Sequence, residues 1–284
     1  MSNWRNMLIA QASGMVEEIS PLTFTALEAG SFVTLTAENP SDTLMYRTSN
    51  TDSWIKYNID KSIALVNAGD YVQFKNTREG VSYYESNARF TMQGKISASG
   101  NIQSLQNWSN ACAAQCYCNI FQGCTALTSA PELPATTLSF GCYSSMFRGC
   151  TALTSAPELP ATELAGSCYG NMFRECTALT SAPELPATKL AGSCYYKMFQ
   201  GCTALTSAPE LPATELIYNC YGNMFQECAN LTYIKVGFAE WVNNATSSWV
   251  DGVSSTGNFV CPKSLPVEYG NSSIPTGWIV SNTD

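Results

Sequence analysis

Cysteine is the side chain with the most chemistry to offer in this 284-residue chain: there are thirteen, against no histidine at all. The missing imidazole removes the Ser-His-Asp and Cys-His systems that activate a hydroxyl or thiol nucleophile. Cys112-x3-Cys116-x-Cys118 with Cys124 gathers four thiols, but the spacing matches no common zinc motif and no histidine completes it, so no metal site is expected. Four glutamates, Glu132, Glu158, Glu184 and Glu210, recur in identical surroundings. Catalysis by paired carboxylates needs two unlike environments that split the pKa values. A copied row repeats one environment. The expectation is a protein without catalytic residues or cofactors.

These residues recur because the chain repeats itself. Thr-Ala-Leu-Thr-Ser-Ala-Pro-Glu-Leu-Pro-Ala-Thr occurs unchanged at 125–136, 151–162, 177–188 and 203–214, a period of 26 residues. Such a period marks units that bury their apolar faces only against their neighbours. One cysteine column runs through 116, 142, 168, 194 and 220, and a second through 124, 150, 176, 202 and 228. Between them stand Tyr117, Tyr143, Tyr169, Tyr195 and Tyr221, then Phe121, Phe147, Phe173, Phe199 and Phe225. In the first half of a unit Leu164, Cys168, Met172 and Cys176 are spaced by four, which reads as an amphipathic helix. From Cys176 the spacing falls to three, and Pro183 and Pro186 forbid a continuing helix. A strand-like segment at 178–182 and a proline-fixed turn are expected there, stacked at ~4.8 Å per strand beside a wider helix row.

Phe-x-x-Cys-x-x-Leu recurs as Phe121/Cys124/Leu127, Phe147/Cys150/Leu153, Phe173/Cys176/Leu179, Phe199/Cys202/Leu205 and Phe225/Cys228/Leu231, with Pro-Glu-Leu-Pro after the first four. This pattern resembles the BspA-like leucine-rich repeats over residues 99–284, with the closing segment at 265–278 included. The unit is longer than that family's commonest coil, and Met-Phe stands where Ala-Phe is usual. The resemblance implies an α/β solenoid of leucine-rich-repeat-like, 26-residue coils, of the kind encoded by gut bacteria and their phages. It implies no ligand.

Residues 1–20 read as an N-terminal arm. Between 21 and 98, alternating runs such as Phe32–Thr36 and Tyr71–Phe74, broken at Asn39-Pro40, Asn50-Thr51-Asp52, Ala68-Gly69-Asp70 and Arg78-Glu79-Gly80, read as a small all-β domain. This β-sandwich-like domain would cap the repeat or attach it to something else. The coils occupy 99–228 and a C-terminal cap 229–284, with a last helix over 238–250, Trp241 and Trp249 covering the apolar end, and closing strands near 257–262 and 277–280.

A formal net charge of −8 with no run of Lys or Arg leaves no basic footprint for nucleic acid. The opening MSNWRNMLIAQASGMVEEIS holds one cation and an apolar run of four, short of a signal-peptide core, and no stretch is long enough to span a bilayer. These features point to synthesis in the cytoplasm. Disulfides need Cα atoms within about 7 Å, closer than helices of successive coils pack, so the cysteine columns are expected as buried, reduced thiols. Cys118 shares its register with Ser144, Gly170, Tyr196 and Gly222 and is expected to face outward.

The fixed polar positions are Thr128, Thr154, Thr180 and Thr206, Ser129, Ser155, Ser181 and Ser207, and the glutamate row. At strand spacing they form a lattice suited to multivalent contact with a glycan or cell-envelope polymer; recent tandem duplication would leave the same identity with no ligand. The variable positions, among them Arg148, Arg174, Lys197 and Tyr218, fall on the other side. Two functional classes follow. In the preferred one this is a phage virion-associated protein (fibre, tail or capsid-decorating), assembled in the host cytoplasm. Its N-terminal region docks to other virion proteins or further copies of itself, and its repeat touches a host-surface glycan or protein. The alternative is a BspA-like adhesin on a bacterial cell surface. Neither calls for nucleic acid or membrane insertion.

Overall fold

The computed structural model describes residues 19–37, 43–51, 53–77, 88–106 and 108–283. Most of the N-terminal arm, Asp52, and the breaks at Asn39-Pro40 and Arg78-Glu79-Gly80 lie outside these residues.

Alternating side chains over residues 22–99 produce two sheets. β2 (Ser31–Thr36) buries Ser31, Val33 and Leu35 and turns Phe32 outward, the period of two of a strand with one wet face. It lies between β5 (Ile63–Leu65) and β7 (Arg89–Gln93). The larger sheet runs β4 (Ile55–Lys56), β3 (Leu44–Thr48), β6 (Tyr71–Asn76), β1 (Leu22–Ala26), β8 (Ile96–Ser99), β9 (Leu127–Ser129). β1 sits centrally in it, yet the alternating runs had not singled it out. Its pairings with β6 and β8 are antiparallel, whereas β8 and β9 are parallel. Phe24, Tyr57, Phe74 and Phe90 meet edge to face between the sheets, with ring centroids 4.9–6.1 Å apart.

The 26-residue units stack in register, but the expected α/β solenoid of leucine-rich-repeat coils is not what they form. Among the described residues there is no α-helix; one 3-10 turn (Ile102–Leu105) and short strands in three small sheets make up the regular structure. Residues 167–176 show what replaces the helix. The amides of Gly170, Met172, Arg174 and Cys176 each donate to a carbonyl three residues back, while those of Ser167, Tyr169, Asn171, Phe173 and Glu175 donate to the next unit, 25 residues on. Ser167, Asn171 and Glu175 have φ of 56°, 57° and 62°. The segment is a succession of β-turns with every fourth residue left-handed. Such a chain returns side chains to one face every four residues, so Leu164, Cys168, Met172 and Cys176 make the stripe that was read as helical. A true helix, at 3.6 residues per turn, drifts by about 40° at each step of four and would carry such a strict column off its face.

The strand expected at 178–182 is also missing: isolated bridges, Ser155 to Ser181 and Ser207 to Tyr233, join these segments. Two prolines per unit remove the donors a ladder needs. Nor is 238–250 helical, since Asn244 and Ser248 again have positive φ. β10 (Tyr233–Lys235), β11 (Asn258–Pro262) and β12 (Ile279–Thr283) form a parallel sheet at that end.

The core of the stack is its ring columns. Tyr117 to Tyr221 and Phe121 to Phe225 stack with centroids 5.4–6.0 Å apart and planes within 15° of parallel. Phe90 of β7 adds a ring before Phe121 at 5.5 Å, and buried Trp249 closes the other end against Tyr221 and Phe225. One hydrophobic core therefore runs from the N-terminal sheets through the whole stack.

Candidate functional site

Each Pro-Glu-Leu-Pro segment places its residues by simple means. The leucines, Leu133, Leu159, Leu185 and Leu211, are buried. The flanking prolines hold φ near −65°, and the glutamates between, Glu132, Glu158, Glu184 and Glu210, are all exposed. Between two consecutive segments lies a shallow groove of about 470 Å³, lined by Ala182 to Pro186 on one side and Pro209, Glu210 and Pro212 on the other. It pairs apolar proline rings with two carboxylates, a surface able to pack a flat ligand face and accept hydrogen bonds from hydroxyls. Glu210 is held by Lys235 Nζ at 2.7 Å; Glu158 and Glu184 make no ion pair among the described residues.

The threonine and serine rows come together only in part. Thr154, Thr180, Thr206, Ser155, Ser181 and Ser207 are exposed, but Thr128 and Ser129 are half-buried because β8 lies against them. Thr128 Oγ1 donates to the Ile96 carbonyl at 3.0 Å and Ser129 Oγ to that of Ala98 at 2.9 Å. Further along, Thr180 Oγ1 donates to the Thr154 carbonyl and Thr232 Oγ1 to that of Thr206, each at 3.2 Å. The threonine row thus helps to hold units together, while Ser155, Ser181 and Ser207 and the four glutamates are exposed.

No protein-family model, curated protein or solved structure matches the chain. Its site is therefore read from its own residues.

On the turn side, sequence reasoning missed an amide and carboxylate ladder. Gln200 Nε2 donates to Gln226 Oε1 at 2.7 Å, and Gln226 Nε2 to Asp251 Oδ2 at 3.2 Å. Arg174 pairs with Glu175 at 3.1 Å. The column of Gln122, Arg148, Arg174, Gln200 and Gln226 was visible at the 26-residue period, but its contacts were not. Phe140, Ile217 and Tyr218 are exposed apolar residues on this side of the repeat.

The cysteines are all free thiols, buried except for half-buried Cys118. The second column has a bonding role: the Sγ of Cys150, Cys176, Cys202 and Cys228 donates to the carbonyl of the phenylalanine 29 residues earlier, at 3.0–3.1 Å. Burial pushes the thiols of Cys168, Cys176 and Cys228 up to about 12. Such thiols are neither nucleophiles nor ligands at neutral pH. No group of metal-binding side chains occurs among the described residues, and no described helix is long and apolar enough to cross a membrane.

Proposed function

We propose that this is a non-enzymatic binding and structural protein, virion-associated, that presents a repeated surface to a host-cell glycan or protein. The observation that carries the reading is the groove between the third and fourth Pro-Glu-Leu-Pro segments, because the segments that build it recur four times in the sequence. Shallow contacts of this kind bind weakly one at a time and gain strength through repetition. Free buried thiols agree with assembly in a reducing compartment. The N-terminal sheets supply attachment to other virion proteins or to further copies of this chain.

The test is binding of the intact chain to whole host cells and to an array of envelope glycans, beside a variant carrying Glu184→Gln and Glu210→Gln, the two carboxylates of the groove. Binding by the parent and a several-fold loss in the variant, at unchanged thermal stability, supports the reading. Equal binding by both removes the groove from the account. No binding by the parent, with firm incorporation into particles, leaves a purely structural decoration role.

A further inference from the structure

Two cations far apart in the sequence meet on the outer face of the larger N-terminal sheet. Arg47 on β3 and Lys75 on β6 are diagonal neighbours there, since Arg47 pairs with Gln73 and Met45 with Lys75. Tyr46 and Phe74, between these positions along each strand, are buried, which turns both cations outward. Trp54, immediately before β4, supports the two together: the Lys75 ammonium lies 4.2 Å and the Arg47 guanidinium carbon 4.9 Å from its ring centroid. One cation would suffice to hold the ring, and a second of like charge beside it is unfavourable. Burial, and then Arg47, lower the pKa of Lys75. No carboxylate among the described residues pairs with either cation. Asp70, which precedes β6, is committed to the Asn67 amide at 2.9 Å and the Ser49 hydroxyl at 3.3 Å. Arg47 is also held from behind. Its Nε donates to Gln73 Oε1 at 2.6 Å, Gln73 Nε2 to Thr23 Oγ1 at 3.0 Å, and Thr23 Oγ1 to the Pro21 carbonyl at 2.7 Å. Gln73 and Thr23 are buried, so this relay fixes the guanidinium and leaves its two terminal nitrogens without a partner among the described residues.

We propose that Arg47 and Lys75, aligned by Trp54 and Gln73, form a binding site for a phosphate group, as carried by a sugar-phosphate or polyol-phosphate polymer. The site lies in the N-terminal sheets and stands independently of the Pro-Glu-Leu-Pro groove. An aligned guanidinium donates two parallel bonds to two oxygens of one anion. A phosphate then has a further oxygen for the Lys75 ammonium, and its charge offsets both cations. A carboxylate has only two oxygens, both taken by the fork, which leaves the ammonium unmet. Arg47, Trp54 and Lys75 each keep part of their surface in solvent, so the site reads a group presented from outside. Single contacts of this kind are weak and gain from a ligand that carries many copies of the group. The chain has no run of Lys or Arg; the fold assembles the pair from separate strands.

The experiment titrates the native full chain by calorimetry with inorganic phosphate and with poly(glycerol phosphate), at constant ionic strength, beside unphosphorylated polyglycerol. Saturable binding of both phosphate probes is expected, tighter for the polymer, with none of polyglycerol. Arg47→Gln and Lys75→Gln should each weaken binding about tenfold through loss of a charge-assisted bond. Without phosphate their melting temperatures should stay at or above that of the parent, because a like-charge contact has been removed. Arg47→Lys keeps the charge but loses the fork, and should also bind several-fold more weakly. The chain with Glu184→Gln and Glu210→Gln should bind phosphate as the parent does, which separates this site from the groove. The proposal is overturned by absence of saturable phosphate binding or by equal binding in the Arg47 and Lys75 variants. A marked fall in melting temperature in both variants, the sign of a purely structural pair, overturns it too, as does a preference for polyglutamate or an oligonucleotide over the phosphate polymer.

Discussion

At the residue scale, the repeated cysteines are structural donors rather than reagents. Cys176 Sγ donates to the Phe147 carbonyl at 3.0 Å in a site closed to solvent. Cys176→Ser keeps a donor for that acceptor and should cost less than Cys176→Val, which loses it and adds bulk; each is expected within about 1–3 kcal/mol by chemical denaturation. The reverse order would mean an ordinary apolar slot. The thiols also set the alkaline limit. Cys124, Cys168, Cys176 and Cys228 are held up to about 12 by burial, against 9.0 when exposed, so the folded chain keeps protons that the unfolded chain sheds. Their stabilisation is complete below pH 9 and lost as pH rises through about 12, at roughly 1.4 kcal/mol per pH unit for each. Denaturant midpoints should fall steeply over that window; a flat profile would contradict the burial of the columns. With a bulky thiol reagent at neutral pH, Cys118 should react in the native chain and the others only on unfolding.

At the scale of the element, the repeat was legible and its local structure was not. Identity at 26 residues and the apolar columns named the core correctly, down to Phe173 and Leu179. A spacing of four, however, belongs to successive turns as well as to helices, and it was assigned to the wrong one. The signal that separates them was present: Asn219 and Asn223, four apart, with Asn171 and Gly201 at the matching positions of earlier units, are residue types that accept positive φ. The candidate site was partly legible too. The glutamate row is exposed throughout, whereas the burial of Thr128 and Ser129 depends on β8, a long-range pairing no local pattern announces. Ser167, at φ 56°, gives a direct check. Ser167→Gly should raise stability by roughly 0.5 kcal/mol by relieving the left-handed strain, and Ser167→Val should lower it by about 1–2 kcal/mol. In a helix the glycine would instead cost up to about 1 kcal/mol.

At the scale of the whole molecule, the ring columns tie the N-terminal sheets to the stack. Phe90 N–H donates to the Ile120 carbonyl at 2.8 Å and its ring stacks on Phe121, so the two regions should unfold in a single transition. Phe173→Ala, in the middle of its column, should cost about 3–5 kcal/mol and shift that whole transition; two resolved transitions would show the core to be divided. Repetition is what gives the proposed surface its strength. Deleting residues 151–176 joins Cys150 to Thr177 in an unchanged sequence context and removes one whole unit. Measured on immobilised host cells, the shortened chain should fold as cooperatively as its parent yet bind about tenfold more weakly, because one set of contacts is lost from a multivalent array. Full binding after the deletion would contradict the claim that the repeated face is the binding surface.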